Sequence, residues 1–204
     1  MKRKIFLTLA AIVFSTALFA QSTTLHVKGG VQYPSDPEKV GFDSALTLNI
    51  GLDKYFTLGA ETGFGWLKWK DNDGKIPTKA GSLSKVEKSN LYSLPLLAVA
   101  TVRMADMMEN YGFMPYLTGG AGYSWTWFRN SELKDLGIKT RFDGFTWQAV
   151  AGVEIKFGAD SDLAFIIEAG YRGAAVENSQ SIELDMSGFI GRVGVSIPLM
   201  PSSY

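Results

Sequence analysis

The sequence predicts an all-β chain, an eight-stranded antiparallel up-and-down transmembrane β-barrel, and three observations carry that expectation. Apolar and polar residues alternate with a period of two through most of the chain after residue 20, the pattern of strands with two unlike faces. The connections between these segments are long and short in turn, as in barrels that cross a bilayer. Aromatic residues gather toward segment ends, where amphipathic rings suit the boundary between hydrocarbon and water.

The first element stands outside the barrel. Lys2, Arg3 and Lys4 precede the uncharged run 5–19, and Ala20 places a small residue before Gln21. A basic start, a short apolar centre and a small residue at the cut make a secretory signal peptide, with cleavage between Ala20 and Gln21. The apolar run falls short of the roughly 20 residues a spanning helix needs. The expected division is a signal peptide over 1–20 and one barrel domain over 21–204. Removing the signal leaves 184 residues with 17 basic and 20 acidic, a net charge of about −3, enough chain for a single domain. No basic stripe points to nucleic acid, and the absence of cysteine excludes disulfides and thiolate metal sites. The longest later apolar run, 94–102, is nine residues and contains Pro95. That is strand length, so membrane insertion requires a closed barrel, the alternative to helices that satisfies every backbone group in lipid.

The strands follow in order. Leu25, Val27, Val31 and Tyr33 oppose Thr24, His26, Lys28 and Gln32; Leu46, Leu48, Ile50 and Leu52 oppose Thr47, Asn49 and Asp53. Phe56, Leu58, Ala60, Phe64 and Trp66 oppose Thr57, Gly59, Glu61, Gly63 and Gly65. The segment 91–103 is apolar on both faces, and the set from Tyr92 through Leu94, Leu96, Ala98 and Ala100 to Val102 is assigned outward. In the second half the outward sets run from Phe113 to Trp127, from Phe145 to Phe157, from Leu163 to Tyr171 and from Phe189 to Ile197. Across those four segments all the charges, Glu154, Lys156, Glu168, Arg172 and Arg192, fall on the opposite face. The long connections are expected over 34–43, 70–89, 129–144 and 174–186, and the short ones over 53–55, 104–111 and 158–162, with no convincing helix after the signal.

The glycine and aromatic motifs Pro115-Tyr116-Leu117-Thr118-Gly119-Gly120-Ala121-Gly122-Tyr123 and Ala151-Gly152-Val153-Glu154-Ile155-Lys156-Phe157 carry a resemblance. With Leu91-Tyr92-Ser93-Leu94-Pro95-Leu96-Leu97, they make the mature chain resemble the small outer-membrane β-barrel domain family of Gram-negative bacteria, porin-like eight-stranded barrels. The resemblance implies residence in the outer membrane, a periplasmic N-terminus and long extracellular connections. It also implies contact with outer-membrane lipid, passage through the barrel-assembly machinery during insertion, and a monomer. The chain departs from the family pattern at its end: Tyr204 is off the outward parity, with Pro198 and Pro201 between it and the last alternating residues.

An eight-stranded barrel leaves an interior that side chains can fill. The inward faces are rich in glycine, leaving room for Glu61, Glu154, Lys156, Glu168, Arg172 and Arg192. Charges shut in a narrow lumen are stable only when paired and hydrogen-bonded, so these six are expected to form a mixed-sign network that plugs it. Catalysis is not expected. His26 is the lone histidine, lies early in the first strand and faces inward, away from the rim where barrel hydrolases place a Ser–His–acid set. Asp71-Asn72-Asp73-Gly74 lacks the first and last ligands of a calcium loop, Trp69 and Ala80 standing in their places, and reads as a turn. Lys79, Lys85 and Lys88, with Glu87, could meet anionic polysaccharide or lipid phosphate, although loop charges are ordinarily just solvated. No cofactor or metal is expected. The function expected is non-enzymatic, a structural or surface-interaction role through extracellular loops. The alternatives are a transport barrel for small or hydrophobic solutes, which a bulky neutral lumen would favour, and a soluble periplasmic ligand-binding barrel, which would need polar outward faces.

Overall fold

The structure is a computed structural model that describes residues 22–35, 39–69, 89–129, 141–158, 161–177 and 183–200. The signal segment, the cleavage residues Ala20 and Gln21, the 71–74 turn and the loop lysines lie outside the described residues.

The strands are β1 (Ser22–Pro34), β2 (Gly41–Gly51), β3 (Phe56–Trp69), β4 (Ser89–Arg103), β5 (Phe113–Arg129), β6 (Arg141–Lys156), β7 (Ala164–Glu177), β8 (Glu183–Asp185) and β9 (Gly188–Met200), with helix α1 (Ala105–Tyr111) between β4 and β5. Each pairs antiparallel with its neighbour, and the sheet closes because β1 pairs with β9 and β6 with β7. The barrel therefore has eight staves, the last interrupted. β8 continues the line of β9 along β7, and the break falls at Met186–Ser187. There the Ser187 hydroxyl accepts the Ala174 N–H at 3.0 Å, a side chain standing in for a ladder bond.

Alternation makes these segments strands because each must show lipid-like surroundings one face and a crowded interior the other. Phe189 is 66 % exposed, Phe145 61 % and Ile167 45 %, whereas inward Glu168 and Arg192 are 4 % and 2 % exposed. On β4 the even positions face outward, as the sequence assigns. Ile50 departs, being buried on the outward parity between its register partners Thr23 and Leu58.

Three differences from the sequence reading concern length and connections. Apart from the three-residue β8, the strands run 11 to 17 residues, because pairing continues beyond the 9 to 11 or so that a tilted span requires. The connection expected over 34–43 shrinks to 35–40, β6 begins at Arg141, and β7 runs to Glu177 against the β8 extension. Helix α1 occupies the connection read as helix-free. Its seven residues are too few to show a periodic apolar stripe, but Gly112 follows in the left-handed conformation (φ 76°), its N–H donating to the Met108 carbonyl at 3.1 Å. The β2–β3 turn is built on Asp53, whose Oδ1 accepts the N–H groups of Tyr55 and Phe56 at 2.6 and 2.7 Å. Pro95, which cannot donate to the ladder, sits where the β3–β4 register is interrupted between Thr62↔Leu96 and Gly65↔Ser93.

Candidate functional site

The interior divides into three layers. Toward the long connections, the inward side chains of Leu67, Leu91, Phe142, Val176, Leu184 and Met186 are buried as an apolar layer. At mid-height lies an ionic layer. Toward the short turns the lumen opens into a vestibule.

The ionic layer is centred on Glu61 of β3, 1 % exposed. Its Oε2 accepts Lys28 Nζ at 2.9 Å and Thr47 Oγ1 at 2.8 Å. Its Oε1 accepts Gln148 Nε2 at 2.8 Å and Arg192 Nη1 at 3.0 Å. Four donors fill the lone-pair capacity of one carboxylate. Glu168 of β7 is the second anion: Lys28 Nζ lies 3.1 Å and Arg192 Nε 2.8 Å from its Oε1, and Tyr116 donates its hydroxyl to Oε2 at 2.7 Å. Asp43 of β2 is the third, taking Arg172 Nη1 at 2.8 Å with Arg192 Nε at 3.6 Å. Gln148 Oε1 bridges the two guanidinium groups at 3.3 and 3.5 Å. Three cations thus meet three anions, and their side chains come from β1, β2, β3, β7 and β9, with Tyr116 of β5 and Gln148 of β6 joining. Every stave except β4 contributes, so the layer ties the walls together across the bore.

Glycine makes room for this. A Cβ at Gly152 would run into the phenol end of Tyr116, so the ring reaches over β6 and delivers its hydroxyl to Glu168 because position 152 is bare.

Of the six charges singled out from the sequence, the structure brings together Glu61, Glu168, Arg172 and Arg192. Glu154 is buried but sits nearer the short turns, its Oε1 3.5 Å from His26 Nε2. Lys156 is corrected: it is exposed at the end of β6, because inward parity so close to the strand end points at the mouth rather than the bore. Sequence reasoning misses Asp43, which falls in the connection expected over 34–43, along with Lys28, Tyr116 and the neutral bridge Gln148. Lys28 was legible through the same parity that placed the others.

The vestibule is a cavity of about 720 Å³. Arg103, Lys156 and Lys54 line it together with Glu109, Asp162 and Glu154. His26 is 8 % exposed, and the Asn49 amide nitrogen lies 3.4 Å from its ring nitrogens. At the lip, Lys54 Nζ meets Asp106 Oδ1 of α1 at 2.7 Å, and the Tyr55 hydroxyl donates to Asp106 Oδ2 at 3.1 Å. These two bonds hold the Asp106 carboxyl below the usual carboxylate range, and the bond to Asp106 pushes the Lys54 ammonium above its ordinary value. Chemically, the ionic layer commits its Thr47 and Tyr116 hydroxyls to the Glu61 and Glu168 carboxylates. Its polar groups face one another, which suits locking and exclusion of ions.

A family model described as outer membrane protein β-barrel domain matches residues 6–196. Among solved structures, Neisserial surface protein A is similar over 87 % of this chain and 97 % of its own, at 14 % identity and a TM-score of 0.55. The outer membrane protein OprG from Pseudomonas aeruginosa is similar over 89 % of this chain and 98 % of its own, at 13 % identity and a TM-score of 0.54. No curated protein matches the sequence.

Proposed function

This chain belongs to the outer membrane protein β-barrel domain family, and from that premise we propose that it is a closed, non-enzymatic barrel that acts through its extracellular loops as a structural or surface-interaction protein. The family places it in the outer membrane of a Gram-negative bacterium. The apolar outward faces exclude the soluble periplasmic barrel. The long connections then face the exterior, and the vestibule opens to the periplasm.

The observation that carries the closed-barrel reading is the Lys28–Glu61–Arg192–Glu168 set spanning the bore at mid-height. An ion entering the vestibule would have to displace buried, mutually paired charges, each costly to strip of its partner. The apolar layer above adds a second barrier. A transport reading would need a continuous polar or neutral path past both, and the ionic layer argues against one. With the lumen closed, specificity falls to the connections, where surface proteins on rigid scaffolds ordinarily carry it.

The test is conductance of the purified protein in planar bilayers. A closed barrel gives no sustained ion-selective steps above the bare membrane. A stable, wide open-channel conductance from the unmodified protein overturns the reading.

A further inference from the structure

The wall is not equally tall all round. β1 ends at Pro34, and its last rung to the eighth stave is the Ser35 N–H donating to the Ser187 carbonyl at 2.7 Å. β2 begins only at Gly41, with Lys39 and Val40 at its head. β8 stands above that level, and among the described residues it pairs with β7 alone. One edge of β8 therefore faces a notch over the first two staves, and a strand edge without a neighbour is a template for another chain. The register says which groups line that edge. Met186 donates its N–H to the Ala174 carbonyl at 2.8 Å, so Ala174 with Met186 and Val176 with Leu184 are the hydrogen-bonded pairs. Asp185 and Glu183 occupy the alternate pairs, opposite Ala175 and Glu177. Their backbone N–H and C=O groups consequently turn away from β7, toward the notch.

The edge is held in strand geometry beforehand, because Leu184 and Met186 are buried in the apolar layer, and such preorganisation lowers the entropy cost of adding to it. Charge then selects what can be added. Asp185 and Glu177 are exposed on the outward parity, and Glu183 stands directly opposite Glu177 in register. Like charges directly opposite one another repel. Asp143, opposite Glu177 on its other side, is engaged by the Tyr123 hydroxyl and lies 4.0 Å from Arg141. A second copy docked edge to edge would set Glu183 and Asp185 against the same two acids, which disfavours self-pairing. A segment with Lys or Arg at alternate positions instead meets them as opposite-charge cross-strand pairs, and its intervening residue falls on the inward side beside Leu184.

We propose that the free edge of β8 is a docking site for an extended, alternately basic and apolar segment of a partner protein, which pairs with Glu183 and Asp185 as an added strand in the line of β1. The site rests on the surface-interaction reading given above but not on a closed lumen, so a conducting barrel would leave it intact.

The test is the fluorescence anisotropy of a short dye-labelled peptide of alternating lysine and valine, titrated with the purified full chain in uncharged-detergent micelles. Heat-shifted gel mobility verifies that each variant is folded. Asp185→Pro removes a donor from the free edge and no rung to β7, and is expected to weaken binding about tenfold. Asp185→Ala removes only the charge and is expected to weaken it about threefold. Should Asp185→Pro not fold, Glu183→Pro, at the first residue of β8 where proline is tolerated, is expected to weaken it about fivefold. Methylating the backbone nitrogens of the peptide's lysines keeps its charge, removes its ladder donors and is expected to abolish the signal. Glu109→Gln, the loss of an acid at the opposite end of the barrel, is expected to change nothing. No binding by the parent chain, equal losses from Asp185→Pro and Asp185→Ala, or an undiminished signal from the methylated peptide overturns the proposal. Peptide binding that survives both proline variants overturns it as well, while leaving the surface-interaction reading in place.

Discussion

The ionic layer and the vestibule hold charges of the same kinds on the same inward face, yet they are built oppositely. At mid-height three cations and three anions interlock, with Thr47 and Gln148 donating to Glu61 and Tyr116 to Glu168. A short distance toward the short turns, Glu154 faces His26 at 3.5 Å and borders a cavity of about 720 Å³. The contrast teaches that inward parity makes a charge interior without making it part of a lock. A lock needs matched partners from opposite walls at one height, because a buried charge is tolerable only when its partner is held in good geometry.

Breaking the lock at its centre should have the largest effect. Glu61→Gln removes one of three anions and leaves Lys28, Arg172 and Arg192 with an unbalanced positive charge. Loss of one partner from a buried pair costs about 3–5 kcal/mol, measured as the change in urea midpoint for unfolding from lipid vesicles. Adding Lys28→Met to Glu61→Gln returns the layer to neutrality and should recover a substantial part of that loss. A double variant no more stable than Glu61→Gln would show that the residues do not act as a unit.

A milder break comes through packing. Gly152→Ala puts a methyl group where the Tyr116 ring lies, so the ring must shift and its hydroxyl must lengthen or lose the bond to Glu168. Overpacking of this kind costs about 1–3 kcal/mol. If the loss arises through the ring, Gly152→Ala in a Tyr116→Leu background should cost markedly less than in the parent. Equal costs in the two backgrounds would assign the effect to the strand backbone.

The wall was legible in the sequence and the lock only in part, for a physical reason. Period two is a local property, so Glu61, Glu168, Arg172 and Arg192 could be set on the inner face from their neighbours alone. Which cation reaches which anion depends on how far the staves slide past one another on closure, and no local pattern encodes that. Thus Glu154 and Lys156 share the parity of Glu168 but stand too close to a strand end to join it. Asp43 escaped because Gly41 and Asp43 read as turn residues, whereas β2 begins at Gly41. Helix α1 left only its end signal, Gly112, and the break at Met186–Ser187 left none.

The smallest effect belongs to the vestibule lip, where a charge pair stands in water instead of in a lock. Lys54 and Asp106 are 2.7 Å apart with side chains 45 % and 58 % exposed. Their mutual bond lowers the Asp106 carboxyl and raises the Lys54 ammonium. A depressed carboxylate contributes stability that is present above its unfolded value, 3.8, and lost as pH falls through the lower folded one. A raised ammonium contributes stability that is complete below its unfolded value, 10.5, and lost as pH rises through the higher folded one. Across the neutral range, then, the pair is fully charged and its contribution flat, reduced only by salt screening. Asp106→Asn should lower the melting temperature by no more than about 2 °C at low salt, and the shift should vanish in roughly 1 M salt, where the screening length is about 3 Å. A larger, salt-independent loss would mean that Asp106 anchors α1 over the vestibule through the Tyr55 hydroxyl, and Tyr55→Phe would then reproduce it.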